Sequence, residues 1–233
     1  ENVRPVPSVR QAPRARREIV CLDARQMAIL LDWLKANAPD LHGMACLQSL
    51  CGLREMEAAA IRAQDLDLSA RTVRVADTGR HKPKNAASLR TIPICSEALE
   101  ALKARLAAQR VRPLTGELFV SQTGTPWRIN SLGHRRAATL RRAARATGEA
   151  ALASVPIHRL RSSFATIASR LCGQDSLLRV YLGHSARDTL GAFCLRVEVA
   201  DLRAVSDAMD RWRGMAEAEG AGTFLATFEN PQA

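Results

Sequence analysis

The sequence predicts a mainly α-helical domain that carries a small antiparallel β-sheet, an α+β fold class. Three observations lead to this prediction. Apolar residues recur with helical spacing over much of the chain, two short segments instead alternate apolar and polar side chains, and a polar stretch containing Gly and Pro joins those two segments. The chain has 233 residues, 47% of them hydrophobic, which is enough for one large domain with appendages.

Helices are predicted both before and after the strands along the chain. Asp23 is the expected N-cap of the first helix, and the spacing of its apolar residues predicts a buried face made of Met27, Leu30, Leu31 and Leu34. Ser96 is the expected cap of a helix that ends near Gln109. The other helices are predicted at about 40–50, 54–61, 131–147 and 200–219, with two more after Pro156.

The sheet is predicted from the alternating segments 72–75 and 89–94, which form a hairpin. Residues 77–85 between them would make a long basic tip. Lys82 and Lys84 in this tip could each deliver an ammonium group to a phosphate or a leaving oxygen, although a solvated basic turn is the commoner role of such residues.

The two ends of the chain have a different composition. Residues 1–18 are basic and rich in Pro, as in a linker or arm, so the folded domain is expected to cover 19–219. Residues 220–233 form a tail of small and apolar residues in which Phe224 and Phe228 have no local core. The basic, Pro-rich start and the absence of an apolar run as long as a membrane helix predict neither a signal peptide nor a membrane span.

The charge and the cysteines narrow the class of protein. The net charge is +11 and arginine dominates the basic residues, which favours a polyanionic partner such as nucleic acid. Only 4% of the residues are aromatic, which disfavours single-strand binding by base stacking. The six cysteines form no CxxC pair, so we expect reduced thiols and a cytoplasmic protein.

Two stretches carry residues suited to binding a phosphate group. Arg54 lies at a predicted helix start, where the helix dipole favours an anion, and Glu57 one turn later could orient its guanidinium. His158 and Arg161 share a helix face, and His184 follows Gly183 at an expected helix start. Each feature alone has an ordinary explanation: a surface ion pair for Arg54 and Glu57, and a capping role for His158.

The order and spacing of these features closely resemble the catalytic domain of the tyrosine recombinases, the phage-integrase family. The resemblance covers roughly residues 20 to 212 and rests on GLREMEAAAIRAQDLDL, a hairpin lysine before LRTIPI, HRLRSSFAT, YLGHS, and a residue nine positions after the histidine. It implies the fold of that catalytic domain. It also implies a bacterial DNA-recombining enzyme, active without metal or cofactor, that cleaves and rejoins strands through a 3′-phosphotyrosyl intermediate.

The resemblance implies roles for individual residues. Arg54 and Arg161 match the family's two phosphate-binding arginines, and Glu57 matches the acidic residue that supports the first of them. His158 and His184 match the two histidine positions. Lys84 fits the position of the family's general acid better than Lys82, which stays as the alternative. The basic residues expected to contact DNA elsewhere are Arg80, Lys82, Arg135, Arg136 and Arg141.

The nucleophile position falls on Phe193, nine residues after His184. A phenyl ring has no oxygen to attack phosphorus. Cys194 is a poor substitute, because a shift of one residue on a helix turns a side chain by about 100°. Two explanations stay open: a deliberate Tyr-to-Phe substitution, favoured because the other site residues are present, or a natural relative that binds DNA without cutting it.

The family resemblance also implies partners. The expected partner is double-stranded DNA, bound by a homo-oligomer, a tetramer on two DNA sites, whose C-terminal segments are exchanged between neighbours. In this chain the tail 220–233 could be the exchanged segment or could fold back on its own core. The location implied is the bacterial cytoplasm in association with the nucleoid. A non-catalytic DNA-binding regulator on the same fold is the rival from another class, and an RNA-binding basic protein would explain the charge but not the order of the motifs.

Overall fold

The computed structural model describes residues 21–79, 81–82, 86–109, 116–121, 123–156, 159–184 and 197–218. The predicted linker and tail lie outside this part of the chain. The fold within it is mainly helical with one small antiparallel sheet, which confirms the predicted class. None of the helices in the described part is both long and apolar enough to cross a membrane.

The first helix follows its sequence pattern closely. Helix α1 spans Ala24–Asn37, and Asp23 caps it by accepting a hydrogen bond from the Gln26 backbone N–H at 2.7 Å while the Gln26 side chain accepts from the Asp23 N–H. This reciprocal pair satisfies two donors that a helix start otherwise leaves open. The predicted apolar face is buried, so both the cap and the face are confirmed.

The second helix makes contacts with several of the others. Helix α2 packs against α1, α4 and α7, and α9 packs against α7. Their bounds are α2 Pro39–Ser49, α3 Glu55–Ala59, α4 Ser96–Ala108, α5 Ile129–Thr147, α6 Ala151–Ser154, α7 Leu160–Cys172, α8 Asp175–Leu182 and α9 Arg203–Ala218.

The sheet contains the predicted hairpin and one strand that the sequence pattern did not indicate. Strands β2 (Thr72–Val75) and β3 (Arg90–Pro93) pair antiparallel with Val73 opposite Ile92. The extra strand β1 (Leu66–Asp67) pairs with β2 on its other edge. It is only two residues long, too short for an alternating pattern to be visible in the sequence.

Two predicted helix boundaries were wrong. Ser96 is the first residue of α4 and not its cap, because the carboxylate of Asp210 on α9 accepts from the Ser96 backbone N–H at 2.7 Å. His184 follows the end of a helix, since Gly183 terminates α8 in the left-handed conformation, with φ +69°. Glycine has no β-carbon to oppose that conformation, which is why it favours helix ends.

Gly52 permits the close approach of the loop before α3 to α7 and α8. Its φ is +62°, and a β-carbon at this position would lie 2.6 Å from Phe164 Cδ1 and 2.7 Å from Leu182 Cδ2. Both neighbours are buried in the core. The absence of a side chain therefore sets how near this loop lies to the helices that carry Arg161 and His184.

Replacing Gly52 with alanine should lower the free energy of unfolding by about 2 kcal/mol, because overpacking adds to the cost of the positive φ. Chemical denaturation checks this. Gly173→Ala is the matched control, since Gly173 has φ +63° and nothing within 4 Å of an added β-carbon. Equal losses in the two variants would show that the contact with Phe164 costs nothing.

Candidate functional site

Glu57 is the centre of the candidate site. Its side chain is 0% exposed, and it accepts hydrogen bonds from both the backbone N–H of Arg54, at 2.8 Å, and the Arg54 guanidinium, at 2.7 Å. The predicted contact between the two residues is therefore present. Helix α3 has only five residues, so the dipole expected at its start contributes little, and the positive potential here comes from guanidinium groups.

Arg90 is a site residue that the sequence analysis missed. It donates to both carboxylate oxygens of Glu57, at 3.1 and 3.4 Å, to the backbone carbonyl of Tyr181 at 2.8 Å and to that of Ser88 at 2.9 Å. Its side chain is 7% exposed. In the sequence, Arg90 is the arginine of LRTIPI, which predicts only a position in a strand. Alternation of apolar and polar residues does not reveal which charged side chain is buried.

Arg161 is held against the same carboxylate by two backbone carbonyls. One terminal nitrogen donates to Gly52 O and the other to Leu182 O, both at 2.7 Å. The first of these nitrogens lies 3.8 Å from Glu57 Oε2. A guanidinium anchored on two sides is preoriented, and its remaining donors can hold an anion without further ordering.

The charges around Glu57 set its ionisation. Burial alone would raise the pKa of Glu57, but the charge of Arg90 and hydrogen bonds from Arg90 and Arg54 outweigh it and lower the pKa to about 2. Burial, and next the neighbouring charge of Arg54, lower the pKa of Arg161 to about 10. At neutral pH the carboxylate is ionised and Arg161 stays protonated.

His184 adds an imidazole at the edge of the cluster. Its Nε2 lies 3.1 Å from a terminal nitrogen of Arg161. A guanidinium has no acceptor, so Nε2 must accept this hydrogen bond and a neutral ring carries its proton on Nδ1. Burial, followed by the charge of Arg161, lowers the pKa of His184. The ring is exposed and therefore accessible to a ligand.

His81 is a second imidazole that feels the charges of this cluster, and no role was predicted for it. Burial lowers the pKa of His81, while the charges of Glu57 and Arg54 act on it in opposite directions. The backbone N–H of His81 donates to Thr78 Oγ1 at 3.1 Å, and its carbonyl accepts from the Thr78 N–H. This turn holds part of the β2–β3 loop near the site.

The structure does not describe all of the predicted site residues. Lys82 is described and its side chain is exposed. Four others lie outside the described residues: Arg80, Lys84, His158 and Phe193. Among the described residues, the structure therefore brings together Arg54, Glu57, Arg161 and His184, and adds Arg90 to them.

The three predicted DNA contacts on α5 differ in exposure. Arg141 is exposed. Arg135 is also exposed, although it pairs with Asp40 and lies over the Trp127 ring. Arg136 is 6% exposed, so little of its side chain is available for a contact with DNA. It points into the protein, where it donates to Gln48 Oε1 and lies 3.5 Å from Glu55 Oε1.

The arrangement is suited to holding a tetrahedral anion. Arg54 and Arg161 share one buried carboxylate, which fixes their separation and offsets part of their mutual repulsion. Phosphate oxygens accept bidentate hydrogen bonds from such guanidinium groups. A neutral imidazole beside them can donate a hydrogen bond or transfer a proton near neutral pH.

Known proteins with a similar sequence include two curated tyrosine recombinases named XerC. The chain is 28% identical over 189 residues to XerC of Actinobacillus pleuropneumoniae serotype 7 (strain AP76), covering 79% of this chain and 57% of the relative. It is 34% identical over 168 residues to XerC of Shewanella amazonensis (strain ATCC BAA-1098 / SB2B), covering 70% and 52%. The chain thus spans a little over half the length of these relatives.

Solved structures share the fold. The Tn1549 transposon integrase, in complex with a circular intermediate DNA, matches with a TM-score of 0.64 and 21% identity over 84% of this chain and 67% of that chain. The XerA recombinase matches with a TM-score of 0.57 and 17% identity, covering 89% and 66%. The predicted catalytic-domain fold is therefore confirmed.

The family match agrees with these likenesses and covers most of the described residues. The model of the phage integrase family matches residues 21–193, a span that runs from the start of α1 through the loop of Arg54, the hairpin and α8. The same span holds every residue of the cluster around Glu57. This chain belongs to the phage integrase family, the tyrosine recombinases.

Proposed function

We propose that the chain is the catalytic domain of a site-specific DNA recombinase, which binds duplex DNA and positions a scissile phosphate but does not cleave it. The observation that supports this most is the convergence of Arg54 and Arg161 on buried Glu57. The net charge of +11 supports a polyanionic partner.

In the proposed reaction of a form with tyrosine at position 193, the tyrosine oxygen bonds to the scissile phosphorus and the bond from phosphorus to the 5′-oxygen breaks. Arg54 and Arg161 hold the non-bridging oxygens, where negative charge accumulates. The departing 5′-oxygen takes a proton from Lys84 or Lys82. His158 and His184 hydrogen-bond to the phosphate and assist proton transfer, and one of them accepts the proton that the tyrosine hydroxyl loses. The free 5′-hydroxyl later attacks a phosphotyrosyl linkage and releases the tyrosine.

Replacing Phe193 with tyrosine tests this proposal directly. With a nicked duplex from the ends of the element that encodes the protein, the Phe193→Tyr protein should form a covalent adduct resistant to denaturant, and the unaltered protein should form none. Failure of Phe193→Tyr to form any adduct on DNA that it binds would reject the strand-transfer function.

A non-catalytic DNA-binding regulator is the second candidate, and the phenyl ring at position 193 is the observation that favours it. The two candidates share duplex binding and differ in the tyrosine variant. A regulator would bind its DNA with unchanged affinity after Phe193→Tyr and still form no adduct.

Exposed and buried arginines of α5 should affect DNA binding differently. Arg141→Ala should weaken binding to duplexes of any sequence and reduce the slope of log K against log salt by about 1, because one phosphate contact is lost. Arg136→Met, the control from the same helix, should leave that slope unchanged and lower the thermal midpoint, because Gln48 and Glu55 lose their partner. A reduced slope for Arg136→Met would restore it as a DNA contact.

The proposed recombinase would act as a tetramer, the assembly that the family resemblance implies. Four copies would act on two DNA sites in the bacterial cytoplasm and nucleoid, with residues 220–233 of each copy docked on a neighbour and residues 1–18 lying along the DNA. Deletion of 220–233 should abolish the tetramer on DNA, measured by light scattering, and leave binding of one copy to one site intact. An unchanged tetramer would reject the exchange.

A further inference from the structure

A group of metal-binding side chains lies between α2 and α4, and none of its members belongs to the cluster around Glu57. His42 and Cys46 are four residues apart on α2, so they occupy the same face. Glu97 lies in the first turn of α4, which packs against α2. One ligand atom from each of the three residues lies within 4.8 Å of the other two.

The spacing of these atoms matches a tetrahedral zinc ion. Zn–N and Zn–S bonds of about 2.0–2.1 and 2.3 Å at a tetrahedral angle place the nitrogen and sulfur about 3.5 Å apart. His42 Nε2 and Cys46 Sγ are 3.4 Å apart. Imidazole, thiolate and carboxylate are ligands that zinc binds together in proteins.

The surroundings also suit a zinc ion. A thiolate and a carboxylate cancel the two charges of Zn²⁺, so that the buried site would carry no net charge. Arg213 contacts Glu97 Oε2 through its Nε at 3.2 Å, the kind of second contact that holds a ligating carboxylate in place.

The site has an access route. A cavity of about 1030 Å³ is lined by both His42 and Glu97, and by Lys35, Glu100 and Arg213 around them. Cys46 is fully buried and does not line the cavity. A zinc ion held by the three side chains would thus have its fourth position on the cavity side, where water can complete the coordination.

We propose that His42, Cys46 and Glu97 form a zinc-binding site that joins α2 to α4. The site is separate from the cluster around Glu57 and takes no part in phosphate chemistry, so it does not depend on the function proposed for that cluster. Its effect would be to fix the packing of the two helices next to the cavity.

Metal binding by the full chain tests the site. After removal of metal with a chelator and equilibrium dialysis against Zn²⁺, the protein should retain one zinc per chain. Co²⁺ in its place should show a thiolate-to-cobalt charge-transfer band together with the intense visible absorption of tetrahedral cobalt. No retained zinc, or cobalt spectra without the charge-transfer band, would overturn the proposal.

Matched variants distinguish this site from adventitious binding. Cys46→Ser should abolish the charge-transfer band. Glu97→Gln should weaken zinc binding at least tenfold, although the glutamine side chain has the same shape as the glutamate and still fits beside Arg213. Cys172→Ser, which alters a free thiol on α7, should change neither the charge-transfer band nor the affinity for zinc. If Cys46→Ser does not fold, Glu97→Gln decides alone. Zinc retained equally by Glu97→Gln would show binding at other groups and reject the site.

Discussion

Replacing Arg161 with alanine in the Phe193→Tyr protein should slow strand cleavage by about 10²- to 10³-fold, the cost of losing one preorganised donor to a developing oxyanion. The effect is large because Gly52 O and Leu182 O fix the guanidinium before any ligand binds. Binding to uncleaved duplex should weaken much less, since many other phosphate contacts remain. Single-turnover cleavage and equilibrium binding on the same nicked duplex measure the two effects.

Two further variants sharpen this prediction. The Arg161→Lys variant of the Phe193→Tyr protein should still cleave much more slowly than the Phe193→Tyr protein itself. An ammonium group cannot reproduce the planar guanidinium that reaches the carbonyls of both Gly52 and Leu182. Arg170→Ala is the control: it removes an arginine from the same helix, nine residues on, and therefore on the opposite face. Cleavage by Arg161→Ala at the rate of Arg170→Ala would exclude Arg161 from the reaction.

Replacing Glu57 with glutamine should lower the free energy of unfolding by about 3 kcal/mol, because it removes the carboxylate from a buried group of guanidiniums. Arg54, Arg90 and Arg161 would then face one another without compensation. Urea denaturation at pH 7 measures the loss. Glu100→Gln is the control, since its pair with Lys103 is exposed and such pairs contribute about 0–1 kcal/mol. A loss no larger than that of Glu100→Gln would contradict the central role of Glu57.

The contribution of Glu57 to the free energy of unfolding should decrease as the pH falls. Folding lowers the pKa of this carboxyl from its ordinary value of 4.5 to about 2. Its contribution, about 3 kcal/mol, is therefore complete above the unfolded pKa and is lost as the pH falls from 4.5 toward 2, where the unfolded chain binds the proton first. The difference in stability between the protein and Glu57→Gln should shrink over this range.

Short-range patterns of the chain allowed much of the fold to be predicted. The capping box of α1 and its apolar face depend on residues within a few positions of one another, and both were found as expected. The hairpin was visible because two alternating segments flank a polar loop. Gly183 marks the end of α8, whereas the local pattern predicted the start of a helix there.

Contacts between distant residues could not be predicted in the same way. Asp210 replaces the expected cap at Ser96 from 114 positions away. Arg136 lies among arginines that share its helix, and only the packing of α5 against Gln48 and Glu55 shows that it is buried. Arg90 was overlooked for the same reason: nothing near it in sequence shows that it reaches Glu57.

Sequence alone is enough to assign the family, the α+β class and the pair formed by Arg54 and Glu57, because these depend on motif order and on local spacing. It also shows that position 193 lacks a hydroxyl. The meeting of Arg90 and Arg161 at the same carboxylate is visible only in the folded chain, since a buried charge is stable only where folding supplies its partners. The grouping of His42, Cys46 and Glu97 is likewise a result of helix packing, which local sequence does not encode.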